Sequence, residues 1–99
     1  MNSLVLSLNA EKQLENIFLY VEAKFSERIR RELAKKIYHC FKLIENNPEL
    51  FSFSDYNRSL RECVVAKQTT VFYQIRKDNI VVVSVFDTRQ NPKKIKNTK

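Results

Sequence analysis

The chain contains no glycine, and only two prolines and two cysteines, in 99 residues. The missing glycine excludes most. A phosphate-cradling loop and a dinucleotide fingerprint both need glycine, so that the backbone can turn tightly and approach a phosphate; neither is present. Turns must instead be built from Asn, Asp and Pro, which tolerate or fix the required dihedrals. Long apolar runs are also missing. Runs such as Ile80 to Val83 are strand-sized, well short of the roughly 18 to 20 residues of a membrane helix. The opening Met1-Asn2-Ser3 shows no basic segment ahead of an apolar block, so a secretion signal is not expected and the chain reads as cytoplasmic. Cys40 and Cys63 are too far apart for a CxxC motif or a zinc half-site. Both fall within apolar patterns, where a free cysteine behaves as a small hydrophobe, and two buried thiols are expected. Neither a metal nor another cofactor is expected.

A hydrophobic content of 43% against 29% charged residues is that of an ordinary packed domain and excludes wholesale disorder. The length suits one domain, expected over residues 1–92, with a basic tail over 93–99. The net charge of +7 is uneven. Residues 1–57 carry eight Lys/Arg and eight Asp/Glu, whereas residues 58–99 carry ten against three. The whole excess lies in the C-terminal part, which points to a polyanionic or acidic partner.

Leu4 to Leu8 is a short apolar run of strand type. Asn9 follows as a helix N-cap, with Glu11 suited to the first turn. Leu14, Ile17, Phe18, Val21 and Phe25 then recur at helical spacing. Ser26 caps a second helix, whose apolar stripe is Ile29, Leu33, Ile37, Cys40 and Ile44. Asn46-Asn47-Pro48 ends it, Asn by taking the left-handed conformation and Pro by barring continuation. Leu50, Phe51 and Phe53 are expected to fold back on the core, and Ser54 to Arg58 to form a polar connection. From Leu60 the period changes to two. Arg61 to Val65, Thr69 to Ile75 and Ile80 to Asp87 read as strands joined by short hairpin turns. Val71, Tyr73 and Ile75 share one face, and Ile80 to Val83 suits a central strand. The expected fold is α+β, an N-terminal strand and a helical hairpin packed on an antiparallel sheet in the order β-α-α-β-β-β. The partner of the first strand is left open.

The ordered set Asn47-Pro48, Leu50-Phe51, Leu60-Arg61, Val71 to Ile75 and Val83 to Pro92, closing in Phe-Asp-Thr-Arg-Gln-Asn-Pro, resembles the RelE/ParE toxin superfamily. The resemblance runs from Asn9 to Pro92, and its specificity lies in order and spacing. It implies the toxin half of a type II toxin–antitoxin pair, a cognate antitoxin as partner, and one of two targets. One branch cleaves messenger RNA in the ribosomal A site; the other poisons DNA gyrase.

Cleavage of RNA by 2′-hydroxyl attack needs a base, an acid and cations around the phosphorane. By the resemblance, Arg89 takes the family's end-of-strand arginine position, Arg61 its Leu-Arg position, and Lys67 lies in a loop that those enzymes populate with basic residues. Two departures count against a nuclease. Thr70 replaces the arginine that precedes the Val-x-Tyr segment, and the tail after Arg89 has neither Tyr nor His. A lysine in water titrates near about 10.4 and is poorly matched to proton transfer at neutral pH. His39 reads as a surface residue of the second helix, and Tyr73 as a core residue. Arg61 is read two ways, as a target-binding cation or as the partner of Asp87 or Glu62 in a buried ion pair; Arg89 is expected to be exposed at a strand end. The favoured reading is a gyrase inhibitor that acts by binding through Arg61, Lys67, Arg89, Lys93 and Lys94. The alternatives are a ribosome-dependent endoribonuclease using Arg61, Lys67 and Arg89, and a small basic nucleic-acid-binding domain.

Overall fold

The computed structural model describes residues 3–89. Lys93, Lys94 and the rest of the expected basic tail lie outside them. Strand β1 (Ser3–Leu6) leads into helix α1 (Leu8–Lys24) and helix α2 (Glu27–Asn46), followed by strands β2 (Arg61–Ala66), β3 (Thr69–Ile75) and β4 (Asn79–Asp87). The expected order holds, and β2, β3 and β4 form the expected antiparallel meander. The sheet order is β1-β4-β3-β2, with β1 added parallel to β4 through the register Leu4↔Ile80 and Leu6↔Val82, so the whole sheet is mixed. The connection from β1 to β4, which contains the helical hairpin, β2 and β3, is long enough for the crossover that a parallel neighbour requires. Strand β4 is thereby central, as its apolar run predicts.

One face of the sheet carries the helices. Ile17 and Val21 of α1, and Leu33, Ile37, Cys40 and Ile44 of α2, pack with Cys63, Val71, Tyr73, Ile80, Val82 and Val85. At roughly 1.5–3 kcal/mol for each large apolar side chain fully removed from water, this cluster is the main stabilising contribution. The two cysteines, 23 positions apart in sequence, meet within it. The neighbouring Cys63 thiol, together with burial, pushes the Cys40 thiol well above its ordinary range. Both are free thiols.

Three local expectations are corrected. Helix α1 is capped by Ser7, whose hydroxyl accepts from the Ala10 N–H at 3.0 Å; Asn9 is already helical. Ser7 wins because β1 ends at Leu6, two residues earlier than the apolar run suggests. Asn47 ends α2 with φ −150° and not in the left-handed region; Pro48 alone enforces the stop. Phe51 folds back, meeting Tyr73 edge-on at 6.5 Å, but Leu50 and Phe53 remain exposed. The connection after Phe53 is polar as expected, with Ser54 buried.

A register shift in β4 sets up the site. Phe72 pairs with Ser84 and Tyr73 with Val82, so Val83 is an extra residue. Strict alternation would turn Ile80, Val82, Ser84 and Phe86 to the helices; the extra residue turns Val85 and Asp87 there instead. Beyond Leu6, strand β1 no longer covers the outer edge of β4, and α1 takes over. The Ser7 hydroxyl donates to the Val83 carbonyl at 3.1 Å, and Gln13 Oε1 accepts from the Val85 N–H at 2.8 Å and the Ser84 hydroxyl at 3.1 Å. Backbone groups left over by the shift are thus satisfied by side chains of the helix start.

Candidate functional site

The cations expected to form a site are divided between the two ends of the sheet. At one end, the turn Lys67-Gln68 between β2 and β3 lies beside the last residues of β4, tied by the Thr88 N–H donating to the Gln68 carbonyl at 2.8 Å. Arg89 follows immediately. At the other end, Arg61 opens β2, level with Tyr73. Asp87 is level with Thr69, four positions along β3, so the two ends are about 13 Å apart before the chain continues to Arg89.

At the first end, Asp87 is 4% exposed and faces the helices because of the shift at Val83. Its Oδ2 accepts from the Thr69 hydroxyl at 2.9 Å and from Arg89 Nη2 at 2.7 Å. Its Oδ1 accepts from Arg89 Nε at 3.0 Å and from the Arg89 N–H at 2.9 Å. Burial alone would raise this carboxyl. The hydrogen bonds from Arg89 and Thr69, with the Arg89 charge, outweigh burial and hold it below the ordinary carboxylate range. The same bonds hold the Arg89 guanidinium above its ordinary value. Arg89 also lies over the Phe25 ring at 5.8 Å, in the tight joint between α1 and α2, and Tyr20 lies near enough for its phenol to act on the guanidinium charge. The expectation of an exposed strand-end arginine is therefore corrected, since only 21% of the Arg89 side chain is exposed. Thr69, Asp87, Tyr20 and Phe25 are the residues of this cluster that sequence reasoning missed. Asp87 stood two places from Arg89, a spacing that a bidentate ion pair can bridge at a strand end. Lys67 is exposed and makes no ion pair among the described residues.

At the other end, Arg61 pairs with neither Asp87 nor Glu62. Its Nη1 donates to the Phe51 carbonyl at 2.7 Å and toward the Glu49 carbonyl at 3.5 Å, and its guanidinium stacks on Phe53 at 4.2 Å. The segment it holds pairs with the edge of β2 around Phe53↔Arg61, with Ser54 N–H to Leu60 carbonyl at 2.7 Å and Glu62 N–H to Ser52 carbonyl at 3.0 Å. An otherwise open strand edge is covered this way. Beneath, the fully buried Tyr73 donates its hydroxyl to the Pro48 carbonyl at 2.7 Å. Burial raises its phenol to about 12, against the lowering influence of the nearby Arg61 charge. Tyr73 is a core residue, as its alternation predicts. His39 is exposed on α2, as expected, within a shallow groove that it shares with Lys35 and Lys42.

Asp87 and Arg89 are each pushed away from neutrality by the other, so neither is a competent acid or base at neutral pH. Arg61 is held by carbonyls at its own end and cannot join Arg89 around one phosphate. Among the described residues no three His, Cys, Asp or Glu side chains are grouped to hold a metal, and no helix is long and apolar enough to cross a membrane.

Comparison with known proteins bears on the class. Residues 4–92 match the family model described as the ParE toxin of the parDE type II toxin–antitoxin system. Searching the curated proteins by sequence yields no match. Among solved structures, the fold is similar to the chromosomal ParDE toxin–antitoxin system from P. aeruginosa, with a TM-score of 0.75 at 12% identity over 88% of this chain and 96% of that one. It is also similar to the E. coli DinJ–YafQ complex, with 0.61 at 9% identity over 92% and 98%. A copper-bound mutant toxin from Helicobacter pylori gives 0.55 at 16% identity over 92% and 99%. At such identities the structural likeness speaks for the fold, and the family model supplies the class. The expectation drawn from the ordered motifs holds: this chain belongs to the ParE toxin family of type II toxin–antitoxin systems, within the RelE/ParE superfamily.

Proposed function

We propose that this toxin arrests growth by binding DNA gyrase, with no bond-breaking chemistry of its own. One observation carries the reading. The Arg89 guanidinium, the residue best placed for phosphate chemistry by resemblance, is bound bidentately by Asp87 at 2.7 and 3.0 Å, and no group poised for neutral-pH proton transfer accompanies it. Lys67 and the flanking strand end then form a contact surface. Purified toxin should inhibit supercoiling and accumulate gyrase–DNA cleavage complexes. Undisturbed gyrase at saturating toxin, with message ends mapping to A-site cuts after induction, would transfer the assignment to the endoribonuclease branch.

The partner in the cell is a cognate antitoxin. Among the described residues strand β1 has a free outer edge, and beside it Leu4, Leu6, Leu14, Phe18 and Phe41 line two adjoining apolar grooves against α1 and α2. An amphipathic, partly acidic antitoxin segment that orders on binding fits such a surface. Leu6→Glu should weaken capture of the co-expressed antitoxin, because Leu6 lines both grooves; since Leu6 also packs against the core, circular dichroism must show the variant folded.

A further inference from the structure

The charge balance of the N-terminal half conceals a segregation. Helix α2 carries six Lys/Arg and three Glu, whereas α1 carries two Lys and three Glu. On α2, Arg28, Arg31, Lys35, His39 and Lys42 fall within an arc of about 80°, taken at 3.6 residues per turn, and opposite the buried Leu33, Ile37, Cys40 and Ile44. All five are exposed. The stripe is about 21 Å long at 1.5 Å per residue. Arg28, Arg31 and Lys35 make no ion pair among the described residues, and Lys42 meets Glu45 only at 3.8 Å. Glu32 borders the arc on one side, and Glu45, beside Lys42, on the other. Arg30, by contrast, is neutralised by Glu22 at 2.9 Å and Glu27 at 3.8 Å, and it lies off the stripe.

We infer that the outer face of α2 is a binding surface for the phosphate backbone of duplex DNA. Arg28, Arg31 and Lys35, a row of cations on a rigid helix with no ion pair among the described residues, match a straight row of phosphates, and B-DNA carries one negative charge per about 1.7 Å of axis. An acidic peptide fits less well. A peptide helix needs apolar anchors, and the groove that offers them, with Leu4, Leu6 and Phe41, meets the stripe only at its Lys42 end. A single strand fits less well too, because it needs aromatic platforms for its bases. The one exposed aromatic at the margin, Tyr38, has its ring covered by the Lys42 ammonium at 5.6 Å. The contact is with backbone and therefore independent of sequence. It is also independent of the gyrase reading, since gyrase inhibition is measured separately.

The test is a salt series of anisotropy titrations with the full chain and a short labelled duplex of random sequence. The Arg31→Gln/Lys35→Gln double variant should weaken binding on the order of tenfold or more at physiological salt. It should also make the slope of log affinity against log salt shallower by about 1.8, or 0.9 per lost phosphate contact. Arg31→Lys should retain both, since the charge persists. Circular dichroism monitors folding, which two exposed substitutions opposite the core should leave intact. The inference is overturned if the double variant binds duplex as tightly as the parent while Lys93→Gln/Lys94→Gln abolishes binding. It is equally overturned if the parent prefers single-stranded RNA of equal length, or binds polyglutamate and not DNA.

Discussion

The two ends of the sheet each hold a partly buried arginine, and they hold it by different means. Arg61 is clamped by backbone carbonyls and an aromatic ring, all neutral. Arg89 is clamped by a buried carboxylate. A neutral clamp leaves the full positive charge in place and uses it to close a strand edge. A carboxylate clamp cancels the charge and makes the two residues depend on each other. The same residue type therefore serves as a pin at one end and as half of a coupled unit at the other.

The largest effect is expected from breaking the coupled unit. Arg89→Ala leaves the Asp87 carboxylate buried without its counter-ion and should cost about 2–4 kcal/mol, discounted because Arg89 is partly exposed. Removing both in Asp87→Ala/Arg89→Ala should recover part of that loss, a coupling that denaturant titration of the four proteins measures. The pair also makes stability pH-dependent. The Asp87 carboxyl is held below its unfolded value, so its contribution is full above about pH 4 and is lost as pH falls through the folded pKa. Asp87→Asn should flatten that acid limb of the stability profile; an unchanged limb would show that the pair is not the source.

A smaller effect is expected at the neutral clamp. Arg61→Ala frees two carbonyls that water can reach and uncovers Phe53, at a cost of about 1–2 kcal/mol. The segment 49–54 should gain amide exchange, while exchange around Asp87 stays the same. If stability at this end instead falls as steeply as at Arg89, the distinction between neutral and charged clamps fails.

The smallest effect is expected beneath Arg61. Tyr73→Phe removes the hydrogen bond to the Pro48 carbonyl and should cost about 1 kcal/mol. The Tyr73 phenol is raised from 10.0 to about 12, so its contribution is complete below pH 10 and is lost as pH rises toward 12. Alkaline titration followed by tyrosinate absorbance should lose this late component in the variant. Early ionisation of all tyrosines in the parent would contradict the burial.

The class of fold was legible because its signals are local. The stripe Ile29, Leu33, Ile37, Cys40 and Ile44 announces a helix, and the alternation of Val71, Tyr73 and Ile75 announces a strand facing it. Both patterns are periodic over a few residues, and all of these side chains face the core. Ser26 as a cap and Pro48 as a stop were legible for the same reason, since each acts within one turn of helix. The toxin class was legible from ordered motifs, which record a whole surface without needing its geometry.

The site was not legible in that way. Its decisive event is the single extra residue at Val83, which reverses alternation and turns Asp87 toward the helices. Nothing in an unbroken apolar run marks where a register will slip. The slip is stable because Ser7 and Gln13, more than seventy positions away, satisfy the freed backbone groups. The sequence by itself determined which segments are helices and strands, which face of α2 and of β3 is buried, and the family to which they belong. Only the tertiary structure decided that β1 runs parallel to β4, that Cys40 meets Cys63, and that Arg61 and Arg89 are held apart at opposite ends of the sheet. Those outcomes depend on which distant groups satisfy one another, and chain separation hides that from any local pattern.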